Sequence, residues 1–202
     1  MQCKIKAAMR RARLWELYLA DKKEKKDRHE AEQSAALPLE HPHLIPVTAA
    51  TRYEYGALRK NIAADLKHYF PNTKFSIHKR HYDCVNIGWT DGVSSDAVTE
   101  IKSKWVDHVN DWSGDFRDYD PSIFNGVFGG IKYLFTNRSF SEAVESARDK
   151  FVSEGHSDSR MLFMCLLAKT DLPKNISNVR VVNSGIDSGL SEDYYKLEWD
   201  VL

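Results

Sequence analysis

His78, His81 and Cys84 recur at steps of three with Asp83 beside them, a set of imidazole, thiol and carboxylate groups of the kind that ligates zinc. A zinc site usually needs two close pairs or a clear closing ligand, and here the second pair is missing. On the two strands of a hairpin these side chains would also point in different directions. The pattern therefore predicts no metal, only histidines on a surface turn. Cys84 with a histidine base becomes a nucleophile only if folding brings an orienting group beside the pair; the simpler account is a half-buried thiol in a strand. Asp111, Asp115, Asp118 and Asp120 crowd one loop and offer oxygen ligands for a hard cation. That run lacks the closing glutamate of a calcium loop. Trp112, Phe116 and Tyr119 interleave it, which favours turn-making, with the aromatics tucked against a sheet. Gly126, Gly129 and Gly130 lead into a strand rather than a helix, so they suit a close approach of backbone to aromatics better than a phosphate cradle.

Binding is better supported than catalysis. Lys4, Lys6, Arg10, Arg11 and Arg13, then Lys22, Lys23, Lys25, Lys26 and Arg28, could neutralise phosphates along a groove, with little sequence preference and strong salt dependence. Interspersed Asp and Glu weaken that field, and a solvated helix face is the competing account. Trp89 offers a stacking face, or simple packing at a strand end. Arg138 carries a forked donor for phosphate or carboxylate at a sheet end, where sites often sit on loops. With Asp91 of the turn, and with Arg10, Arg11, Arg13 and Trp15, these make up the candidate macromolecule-binding set. No catalytic residue, cofactor or metal ligand is assigned, and the chain reads as a non-enzyme.

The elements that must hold these residues follow from periodicity. Residues 4–33 predict one long helix, with Ile5, Ala8, Met9, Ala12, Trp15 and Leu19 at steps of three and four, and a second half from Asp21 to Gln33 with no apolar face. Pro38, Pro42 and Pro46 mark residues 34–50 as an extended linker. Thr51 is the expected N-cap of a helix carrying Leu58, Ile62 and Leu66, which Pro71-Asn72 stops. Lys74 to Lys79 and Val85 to Trp89 predict a hairpin, and Asp91-Gly92 a turn into a helix capped by Ser94 or Ser95 and carrying Val98, Ile101, Trp105 and Val109. A loop from Asn110 to Gly130, a strand from Ile131 to Thr136 and a helix from Ser141 to Ser153 come next. Met161 to Ala168 reads as a strand or a short buried helix, and Val179 to Val182 and Tyr194 to Val201 as strands. The fold class is α+β: a small, mainly antiparallel sheet with helices on one face, preceded by the long helix, in a domain of residues 51–202.

Bulk composition sets wider bounds. The 202 residues carry 29 Lys and Arg against 29 Asp and Glu, yet residues 1–33 hold ten basic against six acidic, so the remainder is acidic. No run is apolar enough to span a membrane, and the first helix is too charged for a secretory signal, which predicts a soluble cytoplasmic protein. Three scattered cysteines, Cys3, Cys84 and Cys165, argue for free thiols in a reducing compartment. The apolar stripe of the first helix must be buried somewhere, on this chain, a second copy or a partner.

The helix followed by F-P-N-T-K-F-S-I, then V-N-I-G-W-T-D-G-V-S, D-F-R-D-Y-D and G-G-I-K-Y-L-F-T-N-R-S-F-S, resembles the large polyvalent protein-associated domains, family twenty-nine of that series, over roughly Arg52 to Ser141. Phe75, Ser76, Trp89, Thr90, Asp91, Gly92, Asp115, Phe116, Tyr133, Phe135 and Arg138 match best. The resemblance implies a phage or mobile-element accessory protein, acting on a host defence or on incoming DNA, and supplies no catalytic residue. A host or phage protein is the expected partner, with nucleic acid bound by the basic helix as the alternative and a metal-assisted enzyme using His78 and His81 as a third class.

Overall fold

The computed structural model describes residues 2–48, 50–52, 54–81, 83–110, 117–154, 159–173, 176–183 and 195–201. The chain divides into two compact units, Met1–Pro42 and His43–Leu202. No described helix is long and apolar enough to cross a membrane.

The first unit is α1, Gln2–Glu40, which runs through Glu40 rather than ending at Gln33. Pro38 does not exclude it. A proline removes one N–H and crowds the preceding turn, but here it sits in the last turn, and the helix closes with His41 N–H donating to the Leu37 carbonyl at 2.9 Å. The charged second half is held by pairs four residues apart, Lys25 to Asp21, Lys26 to Glu30 and Arg28 to Glu24. Leu14, Trp15, Leu17, Tyr18 and Leu19 are all exposed, and Trp15 stacks on Tyr18 at 5.4 Å. These residues lie around the helix rather than along one stripe.

The second unit is α+β, with mostly antiparallel small sheets. Residues 43–48, expected as linker, dock instead on α2, Tyr55–Tyr69. The Asn61 amide explains this: it accepts from Ile45 N–H at 2.9 Å and donates to the carbonyls of Ile45 and Phe128, giving an extended segment the partners it would otherwise lack. Thr51 does not cap α2. Its hydroxyl accepts from Thr48 N–H in a preceding turn, and Glu54 is the N-cap, without a side-chain bond. Leu58, Asn61, Ile62, Asp65 and Leu66 form the buried face of α2 at helical spacing.

β1, Ser76–His81, and β2, Cys84–Thr90, form the expected antiparallel hairpin. Ser94 caps α3, Ser95–Ser103, by accepting from Ala97 N–H. The span expected as loop contains β3, His108–Asn110, paired with β4, Arg117–Tyr119, and then α4, Ile123–Phe128, opened by a Ser122–Asn125 capping box. β5, Tyr133–Ser139, pairs in parallel with β2, which requires this long crossover, and completes a sheet of order β1-β2-β5. Ile77, Val85, Ile87, Trp89 and Leu134 face the core, with α2 against β1 and α3 against β5.

α5, Glu142–Glu154, and α6, Ser159–Lys169, precede a third antiparallel pair, β6, Ile176–Asn183, and β7, Tyr195–Val201. The 161–168 run is thus a helix. It is rich in Leu and Met rather than β-branched residues, and it buries Leu162, Phe163, Leu166 and Leu167 in a cluster with Val144, Val179 and Leu197.

Candidate functional site: the polar face of the three-stranded sheet

Side chains alternate across a strand, so the residues between the core positions of β2 and β5 share the opposite face. Register places them in rows: His78, Asn86 and Phe135; Ser76, Gly88 and Asn137; then Thr90 beside Ser139. All but Asn86 and Gly88 are exposed, and those two are half-buried. The Thr90 and Ser139 hydroxyls lie 3.1 Å apart. Gly88 keeps the middle of the face low: a Cβ there would stand 2.9 Å from the Ser76 hydroxyl. A cleft of about 710 Å³ follows, running from Asn72 and Lys74 over Ser76, Asn86 and Gly88 to Asn137 and Ser139. Farther along β5 on the same face, beyond the residues that line the cleft, Tyr133 and Phe135 stack in parallel, 6.3 Å between centroids. Amides, hydroxyls and flat rings at this spacing can hydrogen-bond and stack, but they offer no nucleophile with a base.

The Trp-Thr-Asp-Gly turn closes one end of the cleft. Asp91 and Gly92 both have positive φ, 53° and 59°. Asp91 is held there by its N–H donating to the Ser139 carbonyl at 2.9 Å and by its carboxylate accepting from Ser141 N–H at 3.0 Å. Trp89 is only 4% exposed, and its indole donates to the Val93 carbonyl. It packs on Phe75 rather than offering a stacking face.

Arg138 is not the outward donor that a sheet-end position suggested. Its guanidinium turns into the protein and donates to four carbonyls: Asp91 at 3.0 Å, Gly92 at 2.9 Å, Thr170 at 3.0 Å, and Leu167. The reason is β5 alternation, which puts position 138 on the core side, beside the C-terminal end of α6. Burial pulls its pKa down to about 10, against the opposing pull of Asp91 and Asp171. It ties the turn, β5 and α6 together.

Of the remaining expected residues, Arg10, Arg11, Arg13 and Trp15 are exposed on α1, in the other unit. His78 and His81 are exposed while Cys84 is buried, and among the described residues no three His, Cys, Asp or Glu groups converge as a metal site. Asp118 and Asp120 are exposed; Asp111, Asp115, Trp112 and Phe116 lie outside the described residues. The glycine cluster makes room for Arg52, Leu58 and Asp107 rather than for aromatics.

The structure also reveals polar centres that periodicity passed over. Asp65, fully buried, accepts from Trp105 Nε1 at 2.9 Å and from Lys104 Nζ at 2.9 Å, and its other oxygen lies 3.0 Å from His43 Nε2. Its signal was present: Asn61 and Asp65 occupy the apolar face of α2, where an unpartnered amide or carboxylate would not be tolerated.

The matched motifs lie along this sheet and its turn. Residues 53–141 match the family model for Large polyvalent protein associated domain 29. This family is associated with phages and mobile elements. The domain 29 match takes in α2, the whole three-stranded sheet, the turn and Arg138, and it ends before α5. No curated protein and no solved structure matches the chain.

Proposed function

We propose that the chain is a phage or mobile-element accessory protein that binds a host or viral macromolecule and catalyses no reaction itself, with inhibition of a host defence system as its specific form. One observation carries this reading: within the domain 29 segment, the sheet presents a polar cleft, with stacked Tyr133 and Phe135 exposed farther along the same strand face. The cleft offers amides and hydroxyls in rows, which suits a protein partner's backbone and polar side chains. The test compares wild type with Asn86→Arg and Phe135→Ala, both on the non-core face and therefore expected to fold. Wild-type protein should restore phage plating on a defence-positive strain and retain a specific host protein, and both effects should fall at least about tenfold in the variants. Equal plating with and without the protein, together with no retained partner, rejects the reading.

A second reading, nucleic-acid binding by α1, rests on a different observation. Among the described side chains, the ion pairs of α1 lie in its second half, and the exposed Arg10, Arg11 and Arg13 take part in none of them. Three phosphate contacts would give a slope of log affinity against log salt of roughly −3 on duplex DNA. Charge reversal at the three arginines should abolish binding; salt-insensitive binding would remove this reading.

A further inference from the structure

The exposed residues of α1 sort by chemistry once helical spacing is applied. Arg11, Trp15, Tyr18, Lys22, Lys25 and His29 follow one another at alternating steps of four and three, so they form one stripe along the helix, and all six are exposed. Leu17 and Leu19 fall off that stripe. Carboxylates are absent from it. No Asp or Glu precedes Glu16, and the residues three and four positions from Arg11 are Ala7, Ala8, Leu14 and Trp15. Those around Lys22 are Tyr18, Leu19, Lys25 and Lys26, so the helix offers neither cation a local ion pair. Lys25 reaches Asp21 at the edge of the stripe, at 2.8 Å, in a solvent-exposed pair of the kind that holds weakly. Trp15 and Tyr18 sit between the cations. They are 61% and 53% exposed, and they stack on each other with 5.4 Å between centroids and their planes 25° apart.

We propose that this stripe binds single-stranded nucleic acid, Trp15 and Tyr18 stacking on bases while Arg11, Lys22 and Lys25 hold the flanking phosphates; this rests on the second reading above, that α1 binds nucleic acid. The rings decide the strand state. In a duplex the base faces are covered by their neighbours, and a basic helix meets phosphates and groove edges, so exposed rings on its basic face gain little there. An unpaired base offers a whole π-face, and two rings held nearly parallel are already oriented to receive one. From Arg11 to His29 the stripe is about 27 Å long, enough for several nucleotides. Stacking and phosphate contacts read no base edge, so sequence preference should be weak. DNA and RNA single strands are the two sources of this chemistry.

Fluorescence anisotropy on the full chain, with labelled single-stranded DNA, single-stranded RNA and duplex DNA of about twenty nucleotides, tests it. At least one single strand should bind about tenfold or more tightly than the duplex, and more weakly as salt rises; the tighter single strand assigns DNA or RNA. Trp15→Ala combined with Tyr18→Ala, with helix content checked by circular dichroism, should weaken single-strand binding about tenfold or more and leave duplex binding nearly unchanged. Leu17→Ala, off the stripe, should change neither. Duplex bound as tightly as both single strands overturns the proposal and leaves the second reading standing. Binding to no strand removes both, and retention on phosphatidylglycerol vesicles would then assign the stripe to a lipid surface. The proposal is also overturned if the double variant binds single strands like wild type, or if Leu17→Ala weakens them as much.

Discussion

Arg138 shows how a side chain suited to recognition can be taken up by folding. Its guanidinium serves four carbonyls from two segments, the turn and the end of α6, and alanine would leave them without that donor in a largely buried place. Arg138→Ala should therefore cost about 3 kcal/mol in urea unfolding, and Arg138→Lys should recover less than half, because a point charge cannot serve four divergent acceptors. The pH dependence has a definite sign. The folded value lies below the ordinary one, so the unfolded chain holds this proton more tightly, and stability would rise with pH only above about 10. Below that both states stay charged, and the stability difference between wild type and Arg138→Ala should be flat from about pH 5 to 9. Gly92 carries a separate demand. It sits at positive φ, and a Cβ would stand 2.8 Å from the Thr73 hydroxyl, so Gly92→Ala should destabilise by roughly 1–3 kcal/mol on the same measurement.

Among the elements, α2 and α3 carry most of the arrangement behind the sheet. Asp65 on α2 gathers Lys104 and Trp105, just past the end of α3, and His43 from the docked segment, so one carboxylate sets the spacing of three pieces of chain. Asp65→Ala should lower unfolding stability by about 3 kcal/mol, because it leaves the buried Trp105 indole and the partly buried Lys104 ammonium without their acceptor. Double-mutant cycles with Trp105→Phe should then show coupling well above the additive expectation. Ser94 makes two bonds, its hydroxyl capping α3 and its N–H donating to Asp171, just past α6, at 2.6 Å. Only the first bond belongs to the side chain, so Ser94→Ala should cost about 1 kcal/mol.

For the chain as a whole, the two compact units predict separable behaviour. Every strongly buried apolar residue described lies between Leu44 and Leu197, so a chain beginning at His43 should keep a cooperative thermal transition close to that of the full protein. The exposed Leu14, Trp15, Leu17, Tyr18 and Leu19 give α1 an apolar surface that water disfavours. Light scattering should accordingly show concentration-dependent association of the full chain and a monomer for residues 43–202. A full chain that stays monomeric at high concentration would remove any role for α1 in self-association.

The hairpin, the turn and the three helices around them could be read in the sequence because their determinants are local: alternation in β1 and β2, Asp91-Gly92, Ser94, and the apolar spacing of α2. Local pattern also carried the domain 29 motifs. It could not say that β5 runs parallel to β2, since strand partners are chosen by packing across a long crossover. Nor could it give the direction of Arg138, which depends on where α6 ends, or the docking of residues 43–48, which depends on the amide of Asn61. The 161–168 run was ambiguous because a short apolar segment satisfies either period, and burial against α5, β6 and β7 chose the helix. Composition and short-range spacing thus determined which elements form and which family motifs they carry. Which side chains are left for a partner was decided by long-range contacts, because a donor is available only where no buried carbonyl has already claimed it.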